Sequence, residues 1–193
     1  MSEVYPCGWA PVTDKLYRDY HDTEWGVPEH GSRALWEKLQ LDGMQAGLSW
    51  ITILRKRASI REEFDRFDPE RLARWTPQRA AKAMENPGII RSPRKIEAVI
   101  SNAQAYLAMM DAGEDFARYC WSWVGGKPVN GKWNDFREAP TFTPWSEAMS
   151  KDLKRRGFKF VGPTIVYAWA QAVGMVNDHE VSCPRHRQVR NSA

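Results

Sequence analysis

Asn86-Pro87-Gly88-Ile89-Ile90-Arg91-Ser92-Pro93-Arg94-Lys95 joins two helical patterns, and its reading decides the fold. The pattern before it carries Ala80, Ala81 and Met84. The pattern after it places Ile96, Val99, Ile100, Ala103, Leu107 and Met110 at helical spacing, with Gly113 just past the end. Together they give a helix–hairpin–helix over about 77–112. A tight Pro-Gly turn exposes backbone N–H groups, and the next helix offers its N-terminus, so the element suits a phosphate oxygen. Arg91, Arg94 and Lys95 add counter-charge, while Ile89 and Ile90 pack inward. Pro-Gly connections also occur in α-proteins that bind no phosphate, so both readings stand on this element alone.

The same punctuation recurs along the chain. Asp68-Pro69, Thr76-Pro77, Ser92-Pro93 and Thr143-Pro144 each set a capping residue before proline. Proline at the first helical position gives up no helical hydrogen bond, and its φ is already suitable. Runs of alternating β-branched residues are missing, so the class is all-α. Asp14 caps a short helix through His21, Ser32 caps the next, Gly47 ends that one and Ser49 opens another. In the latter, Ile51, Leu54, Ala58 and Phe64 share a face, with Arg55, Lys56, Arg57 and Arg61 around it. A helix holding Phe116, Tyr119, Cys120 and Trp123, a long loop at 125–142 and helices from Pro144 and Pro163 complete one domain, 1–183; residues 184–193 read as a loose basic tail. Between the helices before and after Gly47, Asp42 to Trp50 brings an acid and an indole together around small residues, which fits either a helix junction or a site for a flat ligand.

The 193 residues suffice for a core without disulfides. A net charge of +4 leans towards a polyanion, and ten tryptophans favour stacking on flat ligands. Three cysteines, sparse and odd in number, argue against a disulfide framework and for a reducing compartment. Met1 to Trp9 has no leader pattern, and the most apolar run, Thr164 to Val176, is too short to span a bilayer. A soluble cytoplasmic protein with no membrane partner is expected. A second basic group, Lys151, Lys154, Arg155, Arg156 and Lys159, fits a nucleic-acid face or a solvated helix equally.

His179 and Cys183 stand one helical turn apart, and Cys7 and His21 lie near the start. These four would make a closed tetrahedral zinc site, structural because no position is left for water. It would pin the irregular N-terminal segment to the C-terminus. The bland alternative is four unrelated residues.

These segments together resemble the DNA-3-methyladenine glycosylase I family of the helix–hairpin–helix glycosylases. The resemblance rests on Cys7-Gly8-Trp9, Tyr20-His21-Asp22-Thr23-Glu24-Trp25-Gly26-Val27-Pro28, Gln45-Ala46-Gly47-Leu48-Ser49-Trp50-Ile51-Thr52, Gly88-Ile89-Ile90-Arg91, Arg156-Gly157-Phe158-Lys159-Phe160-Val161-Gly162 and Val176-Asn177-Asp178-His179. It implies one structural zinc on Cys7, His21, His179 and Cys183, and a base pocket of Trp9, Tyr17, Tyr20, Trp25 and Trp50. The acid that recognises damaged adenine falls on Asp42, where the family has glutamate, one methylene longer. Base recognition is its first role and catalysis its second.

The implied activity is hydrolytic release of 3-methyladenine from alkylated double-stranded DNA by a monomeric base-excision enzyme. Leu48 is the candidate wedge for the flipped nucleotide, and Gly88, Ile90, Arg91, Arg94 and Lys95 are candidate DNA contacts. The competing reading is a zinc-stabilised DNA-binding module without catalysis. A zinc hydrolase is disfavoured because its metal needs an open position.

Overall fold

The computed structural model describes residues 7–11 and 13–191, so the outermost residues of the expected domain and tail lie outside it. Among the described residues, ten α-helices surround a core led by Trp36, Trp169, Phe64, Phe67 and Phe116, all fully buried. The helices are α1 (Lys15–Thr23), α2 (Ser32–Gln45), α3 (Trp50–Glu63), α4 (Pro69–Leu72), α5 (Pro77–Ala83), α6 (Pro93–Asp111), α7 (Phe116–Ser122), α8 (Pro144–Arg155), α9 (Pro163–Ala172) and α10 (Pro184–Asn191). The central one is α2, which packs against α3, α6, α7 and α9. Indole N–H groups fasten this packing: Trp169 Nε1 donates to Leu35 O at 3.0 Å and Trp36 Nε1 to Asn102 O at 3.3 Å.

The proline starts at 69, 77, 93 and 144 all fall at helix N-termini. Asp68, Thr76 and Thr143 accept hydrogen bonds from the first-turn N–H groups, whereas the Ser92 side chain makes no cap bond. Asp14 caps α1 through the Tyr17 N–H. Ser32 is not the cap of α2 but its first residue, preceded by Gly31. Its hydroxyl instead donates to Asp115 Oδ2 and accepts from Ala117 N, joining α2 to the start of α7.

Two helix faces differ from the sequence reading. In α3 the buried residues are Trp50, Ile53, Leu54 and Ile60, and Ala58 is exposed. In α6 Tyr106 and Met109 are buried while Met110 is exposed. Both helices are covered on more than one side, which widens and rotates the buried arc beyond a single stripe.

Nor is 125–142 only a loop. Val129–Asn130 forms a short strand, β1, parallel to β2 at Val176–Asn177, with Val129 N donating to Met175 O and Gly131 N to Asn177 O. A 3₁₀ turn follows at Phe136–Glu138. The segment at the C-terminus read as loose is helical over Pro184–Asn191, because Val189 is buried and anchors it. No helix is long and apolar enough to cross a membrane among the described residues.

Candidate functional site

A cavity of about 360 Å³ opens where α1, the α2–α3 junction, α9 and the 125–142 segment meet. It is lined by Trp9, Tyr17, Tyr20, Trp25, Asp42 and Trp50. The α1 helix supplies Tyr17 and Tyr20, three residues apart and therefore neighbours on one side. The rings are inclined to one another: Trp9 meets Trp25 and Tyr17 edge to face at centroid distances of 4.8 and 5.4 Å, and Tyr20 is tilted against Trp50 at 5.3 Å. The indole N–H groups of Trp9 and Trp50 are buried with no partner. Such donors carry a cost unless water or a ligand accepts from them.

The α2–α3 junction is built by close approach. A Cβ on Gly43 would meet Phe160 at 3.3 Å, and Gly47 turns the chain at φ +77°. Lys95 closes the end of α2, donating to Met44 O at 2.8 Å and Ala46 O at 2.7 Å. Its charge serves the negative end of α2. This contact ties the hairpin's second helix to the α2–α3 junction.

Asp42 is buried, and sequence reasoning missed its partner. Lys38 Nζ donates to both carboxylate oxygens, at 2.8 and 2.6 Å, and sits 4.1 Å from the centre of the Trp50 ring. The signal was present, because residues four apart face each other on a helix. Burial pushes the Asp42 carboxyl up and the Lys38 ammonium down, and their mutual attraction opposes both shifts. Burial, and then the nearby Asp42 charge, raise the Tyr20 phenol well above its ordinary value. Tyr167, Gln171, Asp178 and Phe136 complete the wall; all lie far along the chain from Asp42 and were not expected there.

Cys7, His21, His179 and Cys183 are all buried, with ligand atoms within 4.8 Å of one another. The ring nitrogens pointing away from the cluster are occupied. His21 Nδ1 lies 2.7 Å from Asp22 Oδ1, and His179 Nε2 lies 3.1 Å from Trp25 O. Each imidazole therefore turns its other nitrogen, His21 Nε2 or His179 Nδ1, towards the sulfurs, as a metal-ligating histidine does. The hydrogen bond between the sulfurs pushes the Cys7 thiol up and the Cys183 thiol down. The donor set fits a metal ion; its His179 ring packs 4.5 Å from Trp25, so the cluster braces the pocket wall.

The hairpin docks on α3. A Cβ on Gly88 would lie 2.0 Å from Ser59 Oγ, and Lys56 Nζ donates to Pro87 O. The Gly88 N–H is taken by Asn86 Oδ1 at 2.8 Å, so this N–H is not open to a phosphate. Ile89 is buried and Ile90 half-buried. Arg91 and Arg94 are exposed and have no ion pair among the described residues. In the second basic group Lys151 pairs with Glu147, Arg155 with Asp152, and Arg156 with Asp152 and Glu114. Leu48 is 41% exposed at the junction tip.

Known proteins are similar to this chain in sequence and in fold. Residues 9–186 match the methyladenine glycosylase family. A curated DNA-3-methyladenine glycosylase of Haemophilus influenzae is 49% identical over 178 residues, covering 92% of this chain and 96% of that protein. The solved crystal structure of a 3-methyladenine DNA glycosylase I superposes with a TM-score of 0.91 at 50% identity, covering 93% of this chain and 98% of that one. A Staphylococcus aureus 3-methyladenine DNA glycosylase I, solved to give the structural basis of 3-methyladenine recognition, has a TM-score of 0.89 at 38% identity over 92% of this chain and 94% of that one.

Proposed function

The chain belongs to the methyladenine glycosylase family, and from that premise we propose that it releases 3-methyladenine from alkylated double-stranded DNA by hydrolysing the N-glycosidic bond. The observation that carries the reading is the aromatic-walled cavity with a buried acid, Asp42, beside the exposed Leu48.

The duplex hides the bond, so the damaged nucleotide turns out into the cavity, and Leu48 fills the gap it leaves. Alkylation at N3 makes the nucleoside cationic and its base a good leaving group. Electron-rich indole and phenol faces attract that cation, and Asp42 accepts from the exocyclic amine. Aspartate is one methylene shorter than glutamate, and the Lys38 ammonium fixes where its oxygens sit. Arg91 and Arg94 hold phosphates beside the hairpin. Cys7, His21, His179 and Cys183 hold one structural zinc, which when bound cross-links the N-terminal segment to the C-terminal one. The protein works as a cytoplasmic monomer.

Incubation with methylated duplex separates this from a DNA-binding module. Free 3-methyladenine in the filtrate is the expected result; duplex binding without base release would leave the module.

A further inference from the structure

The cavity holds a second carboxylate, and its surroundings differ from those of the acids nearby. Asp178 is buried and lines the cavity. It accepts three hydrogen bonds: Trp133 Nε1 to Oδ1 at 2.7 Å, Tyr167 OH to Oδ2 at 2.7 Å and Gln171 Nε2 to Oδ2 at 2.9 Å. All three donors are neutral. By contrast, Asp42 pairs with Lys38, Asp14 with Arg55 and Glu24 with Arg57. Asp178 has no ion pair among the described residues. Neutral donors stabilise a carboxylate without cancelling its charge. Two carboxylate oxygens accept about four hydrogen bonds in all, so three donors leave acceptor capacity on Oδ1.

We infer that Asp178, not Asp42, supplies the uncompensated negative charge of this cavity, and that it selects N-alkylated purines by their positive charge. Asp42, neutralised by Lys38, reads the base by hydrogen bonding. The two acids thus play separate parts, one recognising shape and donors, the other recognising charge. Tyr167 and Gln171, one turn apart on α9, hold the carboxylate in place before the base arrives, so no reorganisation accompanies capture. The inference rests on the base-excision reading for the identity of the ligand.

The test uses two free ligands at neutral pH, cationic 3,9-dimethyladeninium and uncharged 3-methyladenine, titrated calorimetrically into the full chain. The wild type binds the cation at least about tenfold more tightly. Asp178→Asn lowers that ratio about tenfold while its affinity for the uncharged base changes less than about threefold. Trp133→Phe removes one anchor but keeps the charge, and it retains the wild-type ratio. Equal affinity of the wild type for both ligands overturns the inference even if Asp178→Asn does not fold. So does a ratio unchanged in Asp178→Asn, or one that collapses in Trp133→Phe. A wild type that frees base from DNA but shows an unchanged ratio in Asp178→Asn defeats this inference alone. One that binds neither ligand and frees no base defeats the base-excision reading as well.

Discussion

Lys38→Met isolates what the Lys38–Asp42 pair does. The lysine side chain is 15% exposed and the aspartate 5%, so the pair is shielded from solvent. Removing the lysine leaves Asp42 charged, buried and without its ionic partner. Breaking a buried pair on one side costs about 3–5 kcal/mol. For a chain of this length that lowers Tm by roughly 6–20 °C. Adding Asp42→Asn to the same protein removes the stranded charge and restores stability to within about 1.5 kcal/mol of wild type. The loss also depends on pH. Burial already raises the Asp42 carboxyl above its ordinary value of about 3.9, and losing Lys38 raises it further. Between the unfolded and the folded value the native state binds the extra proton, so stability falls as pH rises through that window. The penalty of Lys38→Met is therefore full at neutral pH and shrinks towards about pH 4. Urea unfolding of the four proteins of the double-mutant cycle at two pH values measures all of this. A Lys38→Met loss below about 1 kcal/mol, or a double mutant no more stable than the single, refutes the reasoning.

Three further outcomes are expected. The purified chain carries one zinc by elemental analysis, and Cys183→Ser loses both the metal and several degrees of Tm; a metal-free wild type with the same Tm as the mutant contradicts the clamp. Arg91→Ala with Arg94→Ala reduces the slope of log affinity for duplex against log salt by about 1.8, since each arginine neutralises one phosphate, and an unchanged slope removes them from the interface. Gly174→Ala destabilises by at least about 3 kcal/mol, because the new Cβ would lie 2.4 Å from Pro28 N at φ +73°; chemical denaturation showing wild-type stability would refute the close approach of Gly174 to Pro28.

The features legible in the sequence are local ones. A cap followed by proline announces a helix from two residues, and each of the four such starts lies at a helix N-terminus. Helix faces are less legible: Ala58 and Met110 fall inward when one stripe is drawn on helices that are packed on several sides. The pocket aromatics and the four metal-site residues are gathered by the fold from distant parts of the chain; Cys7 and His179 alone are 172 positions apart. Ligand chemistry suggests the metal set beforehand, but only accumulated motifs bring the pocket aromatics together. Lys38 is readable at i−4 from Asp42. Asp178 stands within a motif yet takes no role from it, since its meaning depends on donors from Trp133, Tyr167 and Gln171. Lys95 looks like a free cation in the sequence; its use at the α2 terminus follows from a contact 51 residues away.

The most direct test of the base-excision account is single-turnover release of 3-methyladenine from methylated duplex by wild type and Asp42→Asn, with duplex affinity measured alongside. Release at least about a hundredfold slower is expected of the variant, at an affinity within about threefold of wild type. Release at the wild-type rate by Asp42→Asn would contradict the account.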